Sequence, residues 1–305
     1  MTKGNRSCSM AILFAGVLAL GFLGPTTSRA ESPAVKDGDK IAFLGDSITQ
    51  QGMGSPIGYC RLVISGLDAN GIKTTAIGAG VSGHKSNDML ARVDRDVISK
   101  KPDWVTLSCG VNDVWHGANG VPLEPYKTNI TAIVDKCQAA GIKVMILTAT
   151  MIKEDPANAE NQKLAAYNDF LRSLAKEKKC LLADLNVDMQ AVIQQASGTK
   201  HGNLLTADGV HMNTAGNKMM ASGVLKAFGL TDEQVKKAMS DEQIKIAQEK
   251  WLDIPETCEA NARVKLSQRK LQQLEAVARK QNKNPDIFFN EMLGKAFDTI
   301  LNEQK

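Results

Sequence analysis

At 305 residues the chain is long enough for one large domain or two modest ones, and 43% hydrophobic with 23% charged content excludes a disordered or fibrous protein. Aromatic residues make up only 5%, so the core must be built mainly from Leu, Ile, Val, Ala and Met. The formal charge of +4 includes Lys3, Arg6 and Arg29, whereas all 33 acidic residues lie beyond position 30. The remainder carries about +1, which leaves no bulk charge to attract nucleic acid or an anionic membrane.

Lys3 and Arg6 precede an uncharged apolar run, Met10–Phe22, and Ser28-Arg29-Ala30 places small residues at the two positions a signal peptidase reads. That order predicts a secretory signal peptide over residues 1–30, cleaved near Ala30 to leave Glu31 first, and a secreted or periplasmic protein. About 13 apolar residues fall short of the ~20 that span a bilayer, so no integral membrane span is expected after cleavage. No Cys follows the run, which argues against a lipoprotein.

From Lys40 short apolar runs alternate with amphipathic stretches. Strands are predicted at Lys40–Gly45, Lys73–Gly78, Trp104–Cys109, Lys143–Ala149 and Cys180–Asp184, each nearly continuous in hydrophobicity as buried parallel strands are. Helices are predicted at Pro56–Asn70, Ser86–Ser99, Pro125–Ala140 and Asn161–Lys179, where Leu164, Phe170, Leu171 and Leu174 fall near one face. Leu185–Ala196 and Thr214–Phe228 are further helices. Strand and helix alternating at this spacing predicts βαβ units and an α/β sandwich with a central parallel sheet over residues 31–230. Thr231–Lys305 reads as a helical C-terminal extension, with helix starts at Thr231 and Ser240 and breaks at Pro255 and Pro285.

Five cysteines lie beyond residue 30: Cys60, Cys109, Cys137, Cys180 and Cys258. An odd number without CxxC spacing describes neither a disulfide framework nor a metal site, and buried thiols acting as small hydrophobes are expected.

The first strand runs into Gly45-Asp46-Ser47-Ile48. In an α/β sheet, chemistry collects where the carboxyl ends of strands meet the following loops. Gly78-Ala79-Gly80-Val81-Ser82-Gly83 follows the second strand, and its glycines permit close backbone approach. Gly110-Val111-Asn112-Asp113 follows the third and sets an amide donor at the same edge. Asp208-Gly209-Val210-His211 comes some twenty residues after the last strand. A serine hydroxyl needs an imidazole to take its proton, and the imidazole needs a carboxylate to hold its tautomer. Asp208 and His211, three apart, can make that contact within one loop. The Ser47 N–H, the Gly83 N–H and the Asn112 side chain are candidate donors to an oxyanion. Against these readings, Asp46 and Ser47 can simply cap the helix that follows, and Asp46 and Asp113 are expected to bond local backbone.

These four blocks in this order resemble the SGNH, or GDSL, hydrolases. The resemblance implies a flavodoxin-like three-layer sandwich, a shallow open site and neither metal nor organic cofactor. It assigns Ser47, Asp208 and His211 as the catalytic triad, and Ser47, Gly83 and Asn112 as the oxyanion hole, with Gly80 as the alternative glycine. His84, Trp115 and His116 flank the blocks and are candidates to line a substrate pocket, whereas His201 has no assigned role. The expected reaction is hydrolysis of a short-chain carboxylic ester, with O-acetyl groups on carbohydrate favoured by the polar loop Gln50–Pro56 and the Trp115-His116 pair. A lipase or lysophospholipase of the same family, and a non-catalytic flavodoxin-like binding protein, are the alternatives. The expected partner is a small-molecule or glycan ester, with no nucleic acid.

Overall fold

A computed structural model describes residues 32–196, 203–252 and 268–281, together with positions 1, 288, 292 and 295. The expected signal peptide, His201, Cys258 and both proline breaks lie outside the described residues.

Five parallel strands form one sheet: β1 (Lys40–Gly45), β2 (Thr75–Gly80), β3 (Trp104–Ser108), β4 (Lys143–Leu147) and β5 (Leu181–Ala183). Their order is β2-β1-β3-β4-β5, the flavodoxin-like arrangement. Leu44 of β1 lies opposite both Ala79 of β2 and Leu107 of β3, and Leu107 lies opposite Ile146 of β4. That register brings the carboxyl ends of β1, β2 and β3 to one edge. β1 is buried at every position after Lys40 and β3 throughout, so both faces of the central strands need helical cover. One layer contains α3 (Ser86–Asp96), α5 (Leu123–Ala139) and α6 (Ala159–Glu177), and the other α2 (Tyr59–Ala69), α7 (Leu185–Gln195) and α8 (Thr214–Ala227). Tyr59, Tyr126 and Tyr167 are fully buried between these layers. Each hydroxyl is bonded, Tyr126 to the Cys109 carbonyl at 2.9 Å, Tyr167 to the Val121 carbonyl at 2.8 Å and Tyr59 to Thr49 Oγ1 at 2.8 Å. These bonds remove the cost of burying the polar ends. Cys60, Cys109 and Cys137 are buried free thiols, and Cys180 is half-buried.

Two short helices leave the sheet edge directly: α1 (Ser47–Met53) after β1 and α4 (Val111–Trp115) after β3. Gln50–Met53, expected in a loop, is the last turn of α1. β2 runs two residues later than expected, to Gly80, and the close approach its glycines permit is to α1. A Cβ on Gly80 would lie 2.3 Å from the Gln50 backbone nitrogen, so α1 packs directly against the strand.

Thr231 starts α9 (Asp232–Ala238) with a capping box shared with Gln234, and Ser240 Oγ accepts from Gln243 N at the start of α10 (Asp241–Leu252). Both helices pack on α2, with Lys237 Nζ donating to the Ala69 carbonyl at 2.6 Å. This compact unit extends to Asp253. A second unit, Ile254–Lys305, contains α11 (Gln268–Lys280). Among the described residues no helix is long and apolar enough to cross a membrane.

Candidate active site

Ser47 is the first residue of α1. Asp46 caps the helix by accepting from Ile48 N at 2.9 Å, which fixes the turn that presents the serine. The fold brings Ser47 to a segment 164 positions later: His211 Nε2 lies 2.8 Å from Ser47 Oγ. On the far side of the ring, His211 Nδ1 lies 2.6 Å from Asp208 Oδ2. The other Asp208 oxygen accepts from the Val210 and His211 backbone N–H groups at 3.0 and 2.8 Å. Partial burial works to raise the Asp208 pKa, but the His211 ring and these two amides outweigh it and bring it down to about 2. An ionised Asp208 only accepts, so Nδ1 carries the ring proton and Nε2 is left to accept from the serine hydroxyl.

The expected oxyanion donors lie across the neighbouring strand ends. Gly83 is exposed with φ +75°, and its N–H donates to no group among the described residues. Gly80, the alternative, is packed against α1 as described. Asn112 occupies the first turn of α4, is 3% exposed and donates from Nδ2 to the His84 carbonyl at 3.1 Å. An amide nitrogen carries two hydrogens, so a second remains available.

Beneath this edge lies a polar layer that sequence reasoning did not find. Arg92, 4% exposed, donates to the Gly45 and Ala79 carbonyls at the ends of β1 and β2, both at 2.8 Å, and to His84 Nδ1 at 3.0 Å. It also pairs with Asp96 at 3.1 Å. Because a guanidinium only donates, His84 Nδ1 is an acceptor and Nε2 carries the proton. Burial, reinforced by the Arg92 charge, lowers the His84 pKa. The available signal was Arg92 falling on the apolar stripe of α3 with Met89 and Val93. Asp113, expected to bond nearby backbone, instead accepts from Ser86 N and Oγ at 3.0 and 2.6 Å, tying α4 to the start of α3. Asp46 is fully enclosed. Burial raises its pKa, the Ile48 amide opposes this, Asp113 adds to it, and the value rises to about 6.

Trp115 ends α4 one turn beyond Asn112 and is 42% exposed, with its ring 6.0 Å from that of exposed His116. Trp115 and His116 therefore open to solvent near the donors, while His84 is held by Arg92. Among the described residues no cluster of His, Cys, Asp and Glu is arranged to hold a metal ion.

The model of the GDSL-like lipase/acylhydrolase family matches residues 43–219. An acetylxylan esterase of Geobacillus stearothermophilus is 28% identical over 216 residues, covering 64% of this chain and 96% of that protein. Esterase TesA of Pseudomonas aeruginosa is 25% identical over 215 residues, covering 70% and 95%. Among solved structures, an acetyl xylan esterase, AlAXEase, is similar with a TM-score of 0.57 at 36% identity, over 62% of this chain and 98% of that one. The family match runs from β1 into α8 and so includes the strand edge and the Asp208–His211 loop. On this evidence the chain belongs to the GDSL-like lipase/acylhydrolase family and is a carboxylic ester hydrolase.

Proposed function

We propose that the protein is an exported serine esterase that removes short acyl groups, chiefly O-acetyl groups from carbohydrate, through an acyl-enzyme on Ser47. The observation that carries this reading is the unbroken hydrogen-bonded series from Ser47 Oγ through the His211 ring to Asp208. His211 Nε2 takes the hydroxyl proton as Ser47 Oγ attacks the ester carbonyl. Asp208 stabilises the imidazolium that forms. The Ser47 and Gly83 N–H groups and the free Asn112 amide hydrogen bond the oxyanion. His211 returns the proton to the departing alcohol, then activates water, whose attack releases the carboxylic acid and restores Ser47.

Support for an acetylated carbohydrate comes from the acetylxylan esterases among the similar proteins and from the exposed Trp115 beside the site, an apolar ring face suited to stacking on a sugar. Support for export is the charged, apolar and small-residue order of residues 1–30. Two measurements test the reading. The protein should hydrolyse p-nitrophenyl acetate and be labelled by a serine-directed fluorophosphonate, and Ser47→Ala should lose both. Across acetyl, butyryl, octanoyl and palmitoyl esters of one leaving group, kcat/KM should fall with chain length, since each solvated methylene forgoes up to ~0.8 kcal/mol of burial. Values climbing toward palmitoyl would replace the deacetylase reading with that of a lipase or lysophospholipase.

A further inference from the structure

The segment carrying Asp208 and His211 is closed by an antiparallel bridge between Thr206 and Met212, with Ala207 N donating to the His211 carbonyl at 2.7 Å, and a carboxylate from another loop ties it to the chain after β4. After β4 the chain passes through Lys153 and Glu154, consecutive non-glycine residues with φ of 60° and 48°. Such left-handed residues cost free energy and persist only where the surroundings enforce them. Glu154 Oε2 accepts from Leu204 N at 2.7 Å. Its Oε1 accepts from Leu205 N at 2.9 Å, Thr206 N at 2.6 Å and Thr206 Oγ1 at 2.5 Å. Thr206, 2% exposed, uses the same hydroxyl oxygen to accept from Gly209 N at 3.1 Å. Lys153 N donates to the Gly209 carbonyl at 2.6 Å. Gly209 directly follows Asp208, so two short paths lead from the strained pair to the Asp208–His211 pair.

The strained loop is itself anchored. Asn161 of α6 accepts from Ile152 N at 2.8 Å and donates to the Ile152 and Asp155 carbonyls, both at 2.6 Å. Met151 and Leu205 pack with Met189 of α7 underneath. Three successive backbone N–H groups directed at one carboxylate form an anion-binding nest, and bonds to an ionised acceptor are the stronger kind.

We propose that Glu154 is a positioning residue, which sets the Asp208–His211 loop so that His211 Nε2 stays within hydrogen-bond reach of Ser47 Oγ. This rests on the Ser47–His211–Asp208 reading above. A misplacement of about 1 Å at such a site lowers turnover by up to ~100-fold, while substrate binding need not change.

The test uses the full-length protein, with fluorophosphonate titration counting reactive Ser47 so that kcat is expressed per competent site. Glu154→Gln replaces one acceptor with an amide NH2 directed at N–H donors. It should lower kcat per titrated site by ~10–100-fold with KM unchanged within about twofold, and broaden the downfield His211 Nδ1 proton resonance. Glu154→Asp keeps the charge with shorter reach and should recover part of the loss. Thr206→Val leaves Glu154 and its backbone bonds in place but cuts the link to Gly209, and should lower kcat several-fold even if the Gln variant fails to fold. Combined, Glu154→Gln and Thr206→Val should lower kcat by less than the product of their separate effects, because they break one connection. A wild-type kcat per titrated site in Thr206→Val, or a loss in Glu154→Gln confined to the number of titratable sites, overturns the positioning role. Turnover surviving in Ser47→Ala overturns the esterase reading itself, which separates the two failures.

Discussion

Ser47 and Asn112 sit on the first turns of helices leaving adjacent strands, and they are 7% and 3% exposed. Asp208 and His211 sit on a loop with side chains 55% and 21% exposed. The first pair is placed by the sheet: register aligns β1 and β3, and Arg92 joins the ends of β1 and β2 from below. The second pair is placed by hydrogen bonds between loops, through Glu154, Thr206 and Gly209. The Ser47 side thus shares the stability of the core, whereas the Asp208–His211 side is held by polar bonds near solvent. Locally held loops open at lower free-energy cost than core elements.

The largest effects remove one side outright. Ser47→Ala or His211→Ala should lower kcat by roughly 10⁶ and Asp208→Asn by roughly 10⁴, with melting temperatures near wild type. Equal losses in all three would mean that Asp208 does more than orient and stabilise the ring. The Asp208 carboxyl, held near 2, should add no inflection to the pH–rate profile above about pH 4. Because its folded pKa is depressed, the stability it contributes is present above the unfolded carboxyl value of ~3.9 and disappears as pH falls toward 2. Following the Asp208 carboxyl by NMR through that range checks both statements.

Arg92→Met sharpens the comparison from the sheet side. It removes a donor from the buried Ala79 and Gly45 carbonyls, the latter keeping Val81 N at 3.1 Å, and leaves Asp96 paired with Arg95 alone, so unfolding by urea should show a loss of about 1–3 kcal/mol. The Glu154 variants, acting on the loop, should leave the urea midpoint far less changed. Asn112→Ala should cost roughly 2.7–4 kcal/mol of transition-state stabilisation, read as kcat with KM steady. A raised KM with normal kcat would make Asn112 a ground-state contact instead.

One effect has the opposite sign. Asp46→Asn keeps the cap on Ile48 but removes a buried charge, so it should stabilise the fold. With the Asp46 pKa raised to about 6, its ionisation penalty is absent below the unfolded value of ~3.9, grows between the two and is complete above 6. The gain should therefore approach up to roughly 3 kcal/mol at pH 8 and vanish near pH 4 in paired thermal melts.

Much of the architecture was legible because its signals are local. Lys40–Gly45 reads as a buried strand from one uninterrupted apolar run, and the Thr231 helix start reads from side chains within one turn. α1 and α4 were not read as helices in full, being too short for a periodic pattern and rich in polar residues. The end of β2 is not legible from the sequence, because Gly78-Ala79-Gly80 lacks the continuous apolar run that marks a strand and the packing of Gly80 against α1 is a tertiary contact.

The chain alone determined the order of strands and helices, the residue types at each strand end and the blocks that carry the family likeness. Hydrophobic period, caps and turns involve residues a few positions apart, and they survive in a one-dimensional reading. The tertiary structure decided the strand order, the meeting of Ser47 with His211 and the roles of Arg92 and Glu154. The buried Arg92 guanidinium reaches Gly45 47 positions away and the Glu154 carboxylate reaches Leu204 and Thr206 50 and 52 positions away, partners that exist only once the sheet and its layers have packed.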